Sequence, residues 1–209
     1  MQPISQQTLQ RLPIYLGYLK SLMPELPVNI SAGSIAQALG YGEVQVRKDL
    51  AAVSMGGRPK LGFVTADLMI DIKRYLGCDN IDSAVLVGAG KLGKALLSYK
   101  GFLEYGLEIV TAFDADPKVA GKCVNGKPIL PSDCLEDFCT KESIRIGIIA
   151  VPSDRAQSVC DRLIAAGVLA VWNFAPVHLK VSEPVLVQNE NLAASLAILS
   201  KHLVETLTK

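Results

Sequence analysis

The sequence lacks any apolar run long enough to cross a bilayer, and it lacks the paired cysteines and the histidines that build structural zinc sites. No stretch approaches the ~18 apolar residues that a membrane span requires, and the first ten residues are too polar for a signal peptide. Only two histidines occur, and the five cysteines form no Cys-x-x-Cys pair. These absences predict a cytoplasmic chain with no membrane contact and no metal site.

Net charge is also nearly absent. The chain has 21 Lys and Arg against 20 Asp and Glu, so its total is +1. Any attraction to nucleic acid must therefore come from local clustering. Apolar residues, in contrast, make up 50% of the 209 residues, which is enough for a sizeable core in one large domain or two small ones.

The hydrophobic pattern changes near residues 77–83. Before this point apolar residues recur at helical spacing, and after it continuous apolar runs alternate with helical segments. Continuous apolar runs are typical of parallel strands that are covered on both faces. We therefore predict a helical domain over 1–78, an α/β domain over 79–190 and a separate C-terminal helix over 191–209.

The N-terminal domain has the element order of a winged helix. Glycine and proline at 56–60 exclude a helix there, and a short strand can follow at 61–64. Helix–turn–helix followed by such a hairpin is the winged-helix order, and the second helix of the pair reads DNA. Helices are predicted over ~5–22, from a Ser31 cap to ~39, over ~43–53 and over ~66–76.

Positive charge clusters where a winged helix would contact DNA. Between residues 45 and 60 the net charge is +3, from Arg47, Lys48, Arg58 and Lys60 against Asp49. Arg and Gln can bond base edges bidentately, and Lys neutralises phosphates. We predict DNA contacts by Gln45, Arg47 and Lys48 from the helix, and by Arg58 or Lys60 in the adjacent minor groove. The alternative is a small helical domain with a solvated charged face.

A glycine motif opens the second domain. The buried strand 84–87 runs directly into Gly88-Ala89-Gly90-Lys91-Leu92-Gly93, which starts a helix, and the next strand ends in Asp114, 21 residues beyond Gly93. This strand, turn, helix, strand and acid form the dinucleotide-binding context of a Rossmann-type doubly wound parallel sheet. The alternative is a glycine turn that only packs a βαβ unit.

The acid indicates which dinucleotide the domain would bind. Asp114 can accept hydrogen bonds from the ribose hydroxyls, and with Asp116 it would repel a 2′-phosphate, so we predict NAD(H) over NADP(H). Further strands are predicted at ~128–130, 144–150, 169–173 and 184–188, and helices at ~132–139, 154–166 and 191–207. The loops with Val151-Pro152 and Asn173-Phe174 follow two of these strands and are candidates for the nicotinamide end of the site.

Little in the chain points to catalysis. A dehydrogenase needs a substrate domain and a proton-transfer residue beside the nicotinamide. His178 is the one histidine near the predicted pocket, and a surface or packing role suits it better than that of a base. We predict binding without turnover and assign no catalytic residue; the alternative is a small NAD-dependent oxidoreductase.

The chain resembles the Rex family of redox-sensing repressors along nearly its whole length. Arg47-Lys48 in the recognition helix together with Asn173-Phe174-Ala175-Pro176 makes the resemblance specific. The matching segments are 11–15 (RLPIY), 45–50 (QVRKDL), 87–93 (VGAGKLG), 99–102 (YKGF), 113–117 (FDADP), 149–152 (IAVP) and 173–177 (NFAPV).

The resemblance implies a homodimer on an inverted-repeat operator in double-stranded DNA. It implies that NAD+ leaves the DNA-bound form in place, that NADH drives release, and that the C-terminal helix swaps into the partner subunit. Arg47 and Lys48 would contact DNA, the glycines and Asp114 would hold the dinucleotide, and Tyr99 would lie near the nicotinamide.

Some positions depart from the family pattern. Residues 51–54 and the hairpin 58–63 differ from the usual motifs, Gly17 stands where the first helix commonly has Arg, and Asn191 replaces an Asp. In the family pattern, the Arg at position 17, the Asp at position 191 and the Tyr at position 99 resemble a polar relay between redox state and domain orientation. This chain keeps only the Tyr of the three. The alternative is thus a Rex-like regulator with a weakened or altered NADH response.

Overall fold

The computed structural model describes residues 4–78 and 82–208. They form two compact units, one containing residues 4–78 with Glu104–Gly106 and the other containing residues 82–103 with 107–208. The predicted boundary between 78 and 79 falls beside the segment 79–81, which lies outside the described residues, as do the predicted chain-end limits at residues 1 and 209.

The described part of the first unit has the predicted helices and one strand more than predicted. Ser31 Oγ accepts from the backbone N–H of Ser34 at 2.9 Å, as its predicted capping role requires, and Gly40 ends the helix with φ of 70°. The strand at 29–30 has too few residues to show a sequence period. The elements are α1 Gln6–Ser21, β1 Asn29–Ile30, α2 Ala32–Leu39, α3 Glu43–Val53, β2 Phe63–Val64 and α4 Thr65–Tyr75.

The core of this unit fixes the orientation of α3. Val46 and Leu50 are fully buried, together with apolar side chains of the other helices such as Leu16, Ile35 and Leu68. Strands β1 and β2 pair antiparallel, with Ile30 opposite Phe63. Because Val46 and Leu50 point inward, the opposite face of α3 points to solvent.

The second unit is the predicted doubly wound sheet. Its strand order is β5-β6-β4-β3-β7-β8-β9, and all neighbours are parallel except β5 and β6. The unpredicted β5 is again a two-residue strand. The elements are β3 Asp82–Val87, α5 Lys91–Ser98, β4 Leu107–Asp114, β5 Cys123–Val124, β6 Lys127–Pro131, α6 Leu135–Lys141, β7 Ile146–Ile149, α7 Ser153–Ala165, β8 Ala170–Asn173, β9 Leu186–Asn189 and α8 Leu192–Leu207.

Strand β3 is buried on both faces. Val85 and Val87 pack with residues of α6 and α7, whereas Ala84 and Leu86 pack with Leu97 of α5. The sheet order reverses at β3, because its successor β4 lies on one side and β7 on the other. This reversal is the topological switch point at which doubly wound sheets bind ligands.

Helix α8 exposes its apolar face in the part of the chain that the structure describes. Asn191 Oδ1 caps it by accepting from the N–H of Ala194 at 2.9 Å. Its described side chains are all exposed, among them six large apolar ones: Leu196, Ile198, Leu199, Leu203, Val204 and Leu207.

Candidate functional site

The glycine motif forms the turn from β3 into α5, and its three glycines differ in what requires them. Gly88 has φ of 99°, and a Cβ there would lie 2.5 Å from the carbonyl oxygen of Ala150. A Cβ on Gly93 would overlap the carbonyl oxygen of Gly88. Gly90 has φ of −69°, which any residue adopts, and a Cβ there would meet nothing within 4 Å. The fold therefore needs Gly88 and Gly93 but does not need Gly90.

A cavity of about 400 Å³ opens beside Gly90. It lies at the carboxyl ends of β3, β4 and β7, where five of the predicted cofactor residues line it: Gly88, Gly90, Asp114, Val151 and Pro152. The N-terminus of α5 follows Gly90 directly, so its free N–H groups and positive dipole end lie beside this cavity. The structure thus brings together the turn, the acid and one of the two predicted loops.

Asp114 is joined to the glycine turn. One carboxylate oxygen accepts from the N–H of Ala89 at 2.7 Å, and the other accepts from the N–H of Asp116 at 2.9 Å. Each oxygen retains a lone pair. The carboxylate is therefore held in one orientation and can still accept from the hydroxyls of a ribose.

Two arginines of α7 line the same cavity, and sequence reasoning missed both. Arg155 and Arg162 lie 41 and 48 residues beyond Asp114, so only the fold brings them near it. Arg162 binds Glu136 bidentately and donates to the carbonyl oxygen of Ser132 at 2.7 Å. The hydrogen bond from Arg162 lowers the pKa of Glu136 below its ordinary value. Arg162 is thus held in the wall of the cavity.

The other predicted cofactor residues do not line this cavity. Ala89 is buried in the turn, and Lys91 and Leu92 are exposed in the first turn of α5. Tyr99 is 59% exposed. It begins a row of edge-to-face and tilted aromatic contacts through Phe102 and Trp172, which ends at Phe174.

Asn173 is fully buried, and its amide organises the loop that follows β8. Its Nδ2 donates to the carbonyl oxygen of Val177 at 2.8 Å and to Asn189 Oδ1 at 2.9 Å, while its Oδ1 accepts from the N–H of Ala175 at 3.0 Å. These bonds hold the loop that follows β8 in one conformation.

In the first unit, three of the five predicted DNA contacts meet in one groove. Arg47 of α3 and Arg58 and Lys60 of the hairpin line a groove of about 660 Å³. The hairpin is closed by backbone bonds between Arg58 and Gly62, of 2.8 and 3.0 Å. Gln45 and Lys48 line a second groove, of about 620 Å³, on the other side of α3.

Sequence reasoning also missed two acids beside these cations. Glu43 forms an ion pair with Arg47 one turn along α3. Asp49, which counted only as a charge against the basic cluster, is 5% exposed and faces α1. A carboxylate at the same helical phase as Val46 and Leu50 was the signal that could have revealed its burial.

The buried Asp49 joins α3 to α1. It accepts from Arg11 Nε at 2.7 Å, from the hydroxyl of Tyr15 at 2.8 Å and from that of Thr8 at 3.0 Å. Burial raises the pKa of Tyr15 to about 12, and the bond to Asp49 adds to the shift. Arg11 is 15% exposed, and its pKa is raised chiefly by the hydrogen bond to Asp49.

Other features add no second chemistry in the described residues. Cys139 and Cys160 lie in the core, where burial raises the pKa of each thiol to about 11. Residues 4–78 and 82–208 gather no group of three or more His, Cys, Asp or Glu that could hold a metal ion. No described helix is long and apolar enough to cross a membrane.

A winged-helix unit with a basic outer face, joined to a Rossmann-type nucleotide-binding unit, defines a class: ligand-responsive transcriptional regulators. Comparison with family models agrees. Residues 3–51 match the model described as "Putative DNA-binding protein N-terminus", and residues 79–177 match "CoA binding domain".

Full-length relatives give the family. The chain is 39% identical over 196 residues to the redox-sensing transcriptional repressor Rex of Porphyromonas gingivalis, covering 94% of this chain and 90% of that protein. It is 43% identical to Rex of Desulfitobacterium hafniense, covering 94% of each. The chain therefore belongs to the Rex family of redox-sensing transcriptional repressors, as the resemblance predicted, and these relatives are named as regulators rather than enzymes.

Solved structures agree with this assignment. The crystal structure of RSP in complex with β-NAD+ and operator DNA matches with a TM-score of 0.91 at 32% identity, covering 100% of this chain and 96% of that one. RSP in complex with β-NADH matches with a TM-score of 0.89 at 31% identity, covering 100% and 98%. The predicted fold class is confirmed.

Proposed function

We propose that the chain binds an inverted-repeat operator as a homodimer and leaves it when NADH binds, so that transcription follows the ratio of NADH to NAD+. The Rex relatives carry the name of redox-sensing repressors, and RSP has been crystallised with each of these ligands. A regulator of this kind acts in the cytoplasm of a bacterium, where the DNA is.

Gly90 is the observation that carries the dinucleotide part of this proposal. Neither sterics nor backbone conformation requires glycine at this position, yet it lies between the switch-point cavity and the start of α5. A missing side chain there lets a pyrophosphate approach the backbone. Gly90, with the N–H groups of α5, would hold the pyrophosphate, and Asp114 would hold the adenosine ribose.

The DNA part rests on the outer face of α3 and the closed hairpin. We assign Gln45, Arg47 and Lys48 to the major groove and phosphates, and Arg58 and Lys60 to the adjacent minor groove. Their exposure and the two grooves that they line support this assignment. The ion pair between Arg47 and Glu43 is exposed, and such pairs contribute little, so it is readily exchanged for a contact with DNA.

The exposed apolar face of α8 supports the proposal of a dimer. A helix with six exposed large apolar side chains is unstable in water unless another surface covers it. A second copy of the chain, exchanging α8 with the first, would bury this face and bring two copies of α3 to the two half-sites of a palindrome.

Release by NADH is a shift between a DNA-binding and a non-binding dimer. A ligand moves this equilibrium only by its differential affinity for the two states. Conversion from almost fully bound to almost fully free requires about 5.5 kcal/mol of such difference. A second candidate, a Rex-like regulator with a weaker response, is favoured by Gly17 and by the neutral cap Asn191.

A gel shift on a palindromic operator, with NADH and NAD+ titrated separately, tests the proposal. We expect NADH to release the DNA and NAD+ to leave it bound. Coenzyme A is a useful comparison because it shares the adenosine diphosphate but carries an extra phosphate on the ribose, which Asp114 would repel. If neither dinucleotide alters DNA binding, the sensor proposal fails.

The DNA surface is tested separately by salt dependence. Lys48→Ala should weaken operator binding broadly and reduce the salt slope by about one per subunit, and Arg47→Ala should also relax base preference. Lys180→Ala removes an exposed lysine of the second unit and is the matched control. Unaltered affinity in both α3 variants would remove this helix from the interface.

A further inference from the structure

Val44 is an exposed apolar residue on a helix face that is otherwise suited to DNA. It lies in the first turn of α3 and its side chain is 63% exposed. The inward positions Val46, Asp49 and Leu50 fix the phase of the helix. Val44 therefore shares the outer face with Arg47, Lys48 and Ala51, at spacings of three, four and seven residues.

Neither helix formation nor core packing calls for valine at this position. β-Branched residues are weaker helix formers than alanine, and this isopropyl group contributes little to the core. Its surroundings are the second groove of α3, which it lines together with Gln45 and Lys48. An apolar group thus lines the same groove as two side chains that are suited to base edges and phosphates.

The floor of the major groove offers one apolar group, the C5 methyl of thymine. Base edges otherwise present donors and acceptors there, and apolar side chains that reach the groove contact this methyl. Val44 and Arg47 are three residues apart, which is about 4.5 Å along the helix axis. That separation corresponds to one or two base-pair steps of about 3.4 Å.

We propose that Val44 reads a thymine methyl in each operator half-site, one or two base pairs from the pair that Arg47 contacts. The inference rests on the proposed DNA-binding function and adds a specificity-determining residue to it. The isopropyl group of Val44 favours thymine because the thymine methyl is buried against it, whereas the polar neighbours of Val44 contact other base edges.

Replacing thymine by deoxyuridine removes this methyl and leaves the base pairing intact. The operator is first selected by the protein from random palindromes, and each thymine is then changed to deoxyuridine in both half-sites. Affinities are measured by fluorescence anisotropy at one fixed salt concentration, for wild type and for Val44→Ala. Val28→Ala removes another exposed valine of the same unit and is the matched control.

At one thymine position, replacement by deoxyuridine should lower the operator affinity of the wild type about fourfold per half-site. This is the factor expected for one buried methyl-sized group. Val44→Ala should lose a similar factor on the thymine operator and nothing further on the deoxyuridine operator, while Val28→Ala should keep the wild-type sensitivity. The inference is overturned if deoxyuridine lowers the affinity of the wild type at no position, or if Val44→Ala is as sensitive to the replacement as the wild type. The proposal of DNA binding would still stand in both cases. If no operator binds at all, both proposals fail.

Discussion

Replacing Asp49 by asparagine tests whether its carboxylate holds α3 in place. Asp49 is 5% exposed and pairs with Arg11, which is 15% exposed. The hydroxyls of Tyr15 and Thr8 also donate to it. Asparagine keeps the shape but removes the charge and turns an NH2 group toward donors. Removing one partner of a buried pair costs about 3 kcal/mol or more, a large part of the ~5–15 kcal/mol that stabilises a typical domain.

Amide hydrogen exchange on the full chain measures this cost where it arises. About 3 kcal/mol corresponds to roughly a hundredfold faster exchange in peptides from α1 and α3. Peptides from β3 and β7 are the internal reference, and Glu25→Gln, which removes an exposed carboxylate of the first unit, is the control. Unchanged exchange in α1 and α3 of the Asp49→Asn variant would refute this role of the carboxylate.

The same carboxylate predicts the acid response of the first unit. Burial raises the pKa of Asp49, but hydrogen bonds from Arg11, Tyr15 and Thr8 together outweigh burial and hold it below its ordinary value. The contribution of the Asp49 carboxylate to folding stability is therefore complete above the pKa of the unfolded state, about 3.9, and is lost as the pH falls through the pKa of the folded state. The urea concentration at the midpoint of unfolding, followed by circular dichroism, should decrease as the pH is lowered below about 4. This decrease should be less steep in Asp49→Asn.

Three further predictions concern the two sites. Gly90→Ala should keep the wild-type melting temperature and weaken NADH binding by about tenfold or more, equivalent to about 1.4 kcal/mol. Gly93→Ala, in contrast, should lower the melting temperature. Equal NADH affinities in Gly90→Ala and wild type would contradict a ligand role for Gly90. Gly17→Arg combined with Asn191→Asp should strengthen the NADH response in the gel shift, and an unchanged response would count against the relay. Glu43→Gln should tighten operator binding about twofold at low salt; weaker binding would mean that the carboxylate itself contacts DNA.

The sequence predicts those parts of the fold that have a period or a local motif. Helices such as α3 and the buried strand β3 repeat their pattern over many residues, and the turn 88–93 contains its own signature. Strands β1 and β5 have two residues each, so they exist only through their pairing.

The candidate sites show the same limit in their side chains. Asp114 could be assigned because it ends a strand at a known distance from the motif. The place of Arg155 in the cavity and the burial of Asp49 depend on contacts between segments about forty residues apart. Charge counting treated Asp49 as part of the DNA-facing surface, whereas the fold neutralises it against α1.

The exposed apolar face of α8 has a genetic consequence under the proposed dimer. Each copy needs a second copy to cover this helix, so two alleles in one cell would produce mixed dimers rather than independent repressors. A copy with Gly90→Ala would keep its DNA-binding surface and α8 but bind NADH about tenfold or more weakly. Such an allele should act dominantly, silencing target genes even when a normal allele senses abundant NADH.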